Sequence, residues 1–389
     1  MFSRRFHWDP SPNRLTRLLR ELRGAGTDVL DLTESNPTRA GFSYPDEIFR
    51  ALAEPRAMHY DPQPAGSLEA RQAVCRYYAE RGRTVEPDRV LLTASTSEAY
   101  QYLFKLMADP GDEILTPRPS YPLFEFLAGM ESLRVVTYPL VYHGGWSIDC
   151  HALAGAITPR TRAIVLVNPN NPTGSFLMRD ELQFLAGLAR SHAIAVISDE
   201  VFTDYAFGED ARRVRTLACE TEMLTFSLSG LSKAAGLPQM KLGWIVISGP
   251  AAARAEAKDK LEWIADTYLS VGTPVQQAAA RLLELGKGIR TQIASRVQAN
   301  LAWLESAISP ESPCRVLAVE GGWYATLQVP RTRREEDWAL EILAKDNVLV
   351  QPGFFYDFES EAFLVLSLLT PPEPFAEGCR RLLRRVEQA

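Results

Sequence analysis

Seven short apolar runs recur through the middle of the chain, at 89–93, 112–116, 133–138, 162–167, 193–198, 223–228 and 243–247, with helical segments between most of them. Ala163-Ile164-Val165-Leu166-Val167 and Ile194-Ala195-Val196-Ile197 are apolar on both faces, as strands are when helices cover both sides of their sheet. The pattern predicts an α/β fold: a large domain with a mainly parallel seven-stranded sheet between helices. A chain of 389 residues, 46% of them hydrophobic, can fill that core and a smaller one beside it. Leucines at 15, 18, 19 and 22 lie on one helical face over 13–24, with Gly24 as the stop, and 28–33 reads as a short strand. Beyond Thr273-Pro274 a helical pattern runs to about Ser306, interrupted by Gly286-Lys287-Gly288, and strands at 315–319, 323–329, 348–350 and 363–368 then alternate with helices. We therefore expect an N-terminal segment over 1–45 that packs with the small domain, a large domain over 46–285, and a small α+β domain over 286–389.

In sheets of this kind ligands collect beyond the carboxyl ends of the strands. Polar residues cluster there: Ala94 to Ser97 after the first run, Asn168 to Gly174 after the fourth, Ser198-Asp199-Glu200 after the fifth, and Ser227 to Lys233 after the sixth. The chain has no G-x-G-x-x-G after the first strand, no G-x-x-x-x-G-K-[ST] and no internal repeat, so dinucleotide and P-loop readings fall away. A serine acyl hydrolase also fails, because S-x-x-K would need serine where Gly230 stands and there is no G-x-S-x-G. A balance of 42 Lys+Arg against 48 Asp+Glu, net −6, offers no footprint for nucleic acid or an anionic membrane. No apolar run reaches membrane-spanning length, and the N-terminal MFSRRFHWDPSPNR lacks the apolar stretch of a secretory signal. Five scattered cysteines without C-x-x-C, and histidines without H-x-x-x-H, predict reduced thiols, a cytoplasmic location and no metal.

The stretch Phe226 to Trp244 packs small residues, hydroxyls and glycines around Lys233. A lysine in a crowded, partly desolvated turn loses proton affinity, and its neutral amine is the nucleophile that forms a Schiff base with an aldehyde. Lys241, eight positions on, could meet an anion held beside it. An aldehyde together with a phosphate points to pyridoxal 5′-phosphate. For Ser232-Lys233 taken alone, a solvated loop lysine is the alternative.

Taken together, the motifs resemble those of the fold type I pyridoxal-phosphate enzymes, specifically the class I/II aminotransferases. The markers occur in that family's order: Tyr60 with Gly66, Thr93 to Glu98, Pro110-Gly111-Asp112-Glu113, Pro119-Ser120-Tyr121-Pro122, Asn171-Pro172-Thr173-Gly174, Asp199-Glu200-Val201, Ser232-Lys233 and Lys241-Leu242-Gly243. The resemblance implies that Lys233 carries the internal aldimine and later moves a proton as base. It implies that Asp199 faces the pyridine nitrogen, Asn171 donates to the phenolate oxygen and Tyr121 stacks on the ring. Ser95, Thr96 and Ser97, opening a helix over Glu98 to Met107, would meet the phosphate with Lys241, which stands where the family usually has arginine. Tyr60 would reach the phosphate of a neighbouring subunit, which implies a homodimer with a shared active site.

Two departures bear on specificity. Phe202 stands where the family usually has a tyrosine aimed at the cofactor's phenolate oxygen, leaving Tyr205 as the candidate substitute hydroxyl. Val365, in Phe363-Leu364-Val365-Leu366-Ser367, replaces the arginine that usually grips an α-carboxylate, so Arg39, with Asn36 in the same turn and Arg118 behind it, becomes the candidate substrate contact. The resemblance implies a biosynthetic aminotransferase that moves an amino group between an amino acid or related amine and a 2-oxo acid. A lyase, decarboxylase or cyclising synthase of the same fold is the alternative, and a non-catalytic binding protein a third reading.

Overall fold

The computed structural model describes residues 2–6 and 8–388. Among them an eight-stranded sheet runs, edge to edge, Val90–Thr93, Gly243–Ser248, Thr225–Gly230, Ala195–Asp199, Thr161–Val167, Glu113–Arg118, Arg134–Tyr142 and Trp146–Ile148. The central pairings are parallel, whereas Gly243–Ser248 runs against both of its neighbours. The apolar pattern predicts seven strands; the eighth, Trp146–Ile148, is the return of a hairpin from Arg134–Tyr142. With three residues on an edge, it carries too little apolar pattern to register in sequence.

Alternation along the strands sorts their side chains onto two faces. Val165, Ile197, Phe226 and Ile245 pack with Leu103 and Leu261 from the helices Thr96–Met107 and Ala251–Asp266. Their neighbours Ile164 and Val196 turn the other way, toward Leu185 of the helix Arg179–His192. Trp244 likewise faces Val74 and Leu282 from the helices Leu68–Ala79 and Thr273–Ala307. Burial of each such side chain contributes about 1.5–3 kcal/mol, which explains why both faces had to be apolar.

The helix Thr273–Ala307 is continuous over 35 residues, so the expected interruption at Gly286-Lys287-Gly288 does not occur. Glycine costs a helix only about 1 kcal/mol relative to alanine, and tertiary packing overrides that. At Gly286 the reason for glycine is close approach: a Cβ there would lie 2.3 Å from the Ala235 Cβ, two residues beyond Lys233.

In the C-terminal part, an antiparallel sheet orders Arg315–Val316, Tyr324–Gln328, Phe363–Ser367 and Gln351–Pro352. The N-terminal strand Leu30–Asp31 pairs in parallel with Val348–Leu349, and the Ser367 amide donates to the Leu32 carbonyl at 2.7 Å. The helix Arg14–Gly24 begins at Asn13, whose side chain accepts from the Thr16 amide at 2.8 Å. Among the described residues no helix is long and apolar enough to cross a membrane.

Candidate active site

The carboxyl ends of five strands and the start of the antiparallel strand Gly243–Ser248 surround a cavity of about 240 Å³. Ser95, Thr96, Ser97, Tyr121, Asn171, Asp199, Ser232 and Lys233 all line it. Each stands just past, or at the end of, a strand whose apolar register the core dictates.

At one end the helix Thr96–Met107 starts. Ser95 caps it, its Oγ accepting from the Glu98 amide at 3.2 Å, while Glu98 Oε2 reaches back to the Ala94 amide at 2.6 Å. The helix therefore begins at Thr96, two residues before the expected Glu98. The first N–H groups of a helix have no intrahelical acceptor, so this turn presents donors and a positive dipole end to the cavity, which suits a phosphate.

Asp199 terminates its strand. Its Oδ1 accepts from the Val201 amide and its Oδ2 from the Tyr100 hydroxyl, each at 3.2 Å. Burial pushes its pKa up to about 6, against those two donors and the Lys233 charge. Burial also lowers the pKa of Lys233; Asp199 opposes that shift and the nearby Lys241 charge adds to it. Lys233 Nζ lies 5.9 Å from the ring centres of both Phe202 and Trp323. Its backbone is held from three sides: the Tyr205 hydroxyl donates to the Lys233 carbonyl at 2.6 Å, Arg290 to that of Ala234 at 3.0 Å, and the Tyr44 hydroxyl to that of Gly236 at 2.9 Å. Tyr205 is thereby committed to the main chain and does not line the cavity, whereas Phe202 does.

Several expected residues stand elsewhere. Lys241 is exposed, in a left-handed conformation with φ of 50°, and acts on the site through its charge. Tyr60 is 78% exposed, on a separate cleft with Gly66, Tyr102 and Ser270. Arg39 is exposed and does not line the cavity. Asn36 folds onto its own turn, its Oδ1 accepting from the Thr38 amide and hydroxyl at 3.0 and 2.8 Å; from that turn it is Ser35 that lines the cavity. Arg118 donates to the Asp357 carbonyl at 2.9 Å and faces Glu359. Val365 is fully buried, paired across the small sheet with Thr326 and Gln351. Among the described residues no arginine lines the cavity.

Sequence reasoning missed Tyr100 and Ser35, both of which line it. Tyr100 was accessible in principle, because it stands one helical turn beyond Thr96 on the same face. Tyr324 also lines the cavity, arriving on a strand of the C-terminal sheet.

Residues 27–382 match the family model described as aminotransferase class I and II. The chain belongs to that family. Its relatives include the glutamate-pyruvate aminotransferase AlaA of Escherichia coli K12, 32% identical over 262 residues, which are 67% of this chain and 64% of the relative. This chain thus matches just under two-thirds of that relative's length. The alanine aminotransferase of Mycobacterium bovis is 29% identical, with 93% of this chain and 86% of the relative covered. In fold, the chain superposes on the alanine aminotransferase of Pyrococcus furiosus with a TM-score of 0.89 over the full length of both, at 24% identity.

The family's enzymes use pyridoxal 5′-phosphate, and the residues here fit that group. Asn171 is buried at the cavity wall with its side-chain oxygen lacking any protein partner; that oxygen calls for a donor from a ligand, and the amide's NH2 is the group that can donate to a phenolate oxygen. At the cavity wall a Cβ on Gly243 would lie 3.1 Å from Thr93 Oγ1 and 3.2 Å from the Ser95 carbonyl carbon, so glycine keeps the approach to the helix start open. A half-buried amine, a half-buried acid and a helix start in one cavity match the aldehyde, ring nitrogen and phosphate of that cofactor.

Proposed function

We propose that this chain is a pyridoxal-phosphate-dependent aminotransferase that exchanges an amino group between an amino acid, or related amine, and a 2-oxo acid. The observation that carries the reading is the pairing of Lys233 and Asp199 in one cavity, each altering the other's proton affinity. Lys233 would hold the cofactor covalently and Asp199 would face its ring nitrogen. The Asn171 NH2 would meet its phenolate oxygen, Tyr121 its ring face, and Ser95, Thr96 and Ser97 its phosphate, with Lys241 acting on that end through its charge. When bound, the cofactor supplies an aldehyde that captures amines and a ring that withdraws electrons from the captured carbon. Once a substrate amine has displaced it from the aldehyde, Lys233 Nζ, its proton affinity lowered by burial, would take the proton from the substrate Cα as base and deliver it to the aldehyde-derived carbon as acid. Phe202 and Tyr324, both buried, line the cavity and would exclude water from that transfer.

Pyruvate recurs in the names of relatives, in AlaA and in the arginine–pyruvate transaminase AruH of Pseudomonas aeruginosa. We read the 2-oxo acid here as a small one of that class, since among the described residues no arginine lines the cavity to meet a second carboxylate. The absent arginine also supports a second reading, a lyase, decarboxylase or cyclising synthase on the same cofactor. Borohydride reduction with peptide mapping should label Lys233, and L-alanine added to holoenzyme should yield pyridoxamine phosphate and pyruvate. Labelling without pyridoxamine phosphate from any of a panel of amino donors would favour the second reading; no label at Lys233 would end both.

A homodimer sharing its active sites, with Tyr60 contributing to the partner's phosphate site, belongs to the same proposal. It is supported by Tyr60, Met58 and Leu68, exposed at 78%, 88% and 46%, together with Tyr268 and Leu269 at 47% and 36%. The cytoplasmic location, a biosynthetic role and the division at 45/46 and 285/286 are proposed alongside.

A further inference from the structure

We propose that Tyr100 is a positioning residue that fixes the Asp199 carboxylate for the cofactor's ring nitrogen, from the same helix whose first turn faces the phosphate. The proposal rests on the cofactor reading of this site. Tyr100 is 3% exposed, and among the described residues Asp199 is the one hydrogen-bond partner of its hydroxyl, at 3.2 Å. A phenylalanine would fill the same apolar space, and a buried hydroxyl is costly unless bonded, so the hydroxyl has its place through that bond. The ring is set by Phe124 and Phe104, with centres 5.4 and 5.9 Å away.

The two donors on Asp199 sit on different oxygens, Val201 N–H on Oδ1 and Tyr100 O–H on Oδ2. Together they orient the carboxylate plane and favour its ionised form, while an ionised carboxylate retains further acceptor capacity for the N–H of a cation. Tyr100 stands four residues beyond Thr96, about 6 Å along the helix axis. One rigid element thus spaces the phosphate-facing turn from the group that aims the acid, matching the two ends of a single ligand.

The test measures binding of pyridoxamine 5′-phosphate and, separately, of inorganic phosphate to the full-length apo protein. Wild type, Tyr100→Phe, Asp199→Asn and the double variant are compared. Tyr100→Phe should weaken pyridoxamine phosphate binding by about tenfold or more, the usual effect of losing a hydrogen bond to a charged group, and leave phosphate affinity within twofold. In the Asp199→Asn background the same substitution should cost less than twofold. The assignment is overturned if Tyr100→Phe binds pyridoxamine phosphate like wild type, if its effect persists undiminished in the Asp199→Asn background, or if phosphate affinity falls equally, which would make Tyr100 a support of the helix alone. A wild-type protein that binds no pyridoxamine phosphate would overturn the cofactor reading and this assignment with it.

Discussion

Replacing Glu200 by glutamine should change how the stability of the apo protein depends on pH while leaving its shape intact. Glu200 is 1% exposed and lies outside the cavity. Its carboxylate accepts from the Thr216 hydroxyl at 2.6 Å, the Leu217 amide at 2.8 Å and the Ser227 hydroxyl at 3.0 Å, tying the strand end that carries Asp199 to its neighbours. Even with those donors, burial pushes the Glu200 pKa from an ordinary 4.5 up to about 7. A carboxyl that holds its proton more tightly when folded favours the folded state at low pH. That contribution is present below about 4.5 and is lost as pH rises through about 7. Between pH 5 and pH 8 the loss amounts to about 2–3 kcal/mol, at about 1.4 kcal/mol per pH unit over the window. Glutamine carries no titrating proton and keeps an amide oxygen for Leu217 and Ser227. Urea denaturation of both proteins at pH 5 and pH 8 should therefore show the variant gaining about 2–3 kcal/mol on wild type across that interval. A difference between the two proteins that stays constant within about 0.5 kcal/mol would refute the argument, because Asp199 and Glu335, the latter also raised to about 7 by burial, titrate in both.

Three further outcomes follow from the site and its supports. Lys233→Ala should abolish covalent cofactor trapping and lower kcat for amino transfer by about 10³ or more, the scale of a lost general base; single-turnover kinetics with a fluorescent cofactor readout would check it. Phe202→Tyr adds a hydroxyl at the cavity wall, where the ring centre lies 5.9 Å from Lys233 Nζ, and should lower the pH at which the holoenzyme's visible absorbance changes. Equal midpoints in a spectrophotometric titration would show that the hydroxyl does not reach the cofactor. Gly286→Ala should destabilise the chain by about 1–3 kcal/mol through overpacking, since its Cβ would meet Ala235 at 2.3 Å. Denaturation midpoints measure that cost, and cofactor retention on dialysis reports whether the strain reaches Lys233.

The linear order of residues determined the sheet and most of what lies at its edge. Runs apolar on both faces require helix layers on both sides, and the chain then has to turn at the carboxyl ends, which is why Ser95, Asn171, Asp199 and Lys233 converge in one cavity. These are local features, coded by periods of 2 and 3.6 residues and by short polar turns. Folding decided whatever depends on which distant elements meet. The Tyr100 to Asp199 contact spans 99 residues and exists because the helix after the edge strand Val90–Thr93 crosses the sheet toward the end of Ala195–Asp199, a consequence of strand order. Gly286 reads as a helix break by propensity, yet its helix continues, and glycine stands there because Ala235 packs where a side chain would be. Arg39 and Val365 show the same limit from the other side: a charged residue in an entrance turn stays outside the cavity, and the position that the resemblance assigns to a carboxylate grip is a buried valine of the small sheet. Side-chain chemistry is written residue by residue, but proximity across the sheet is settled by packing and register, which no short window of sequence contains.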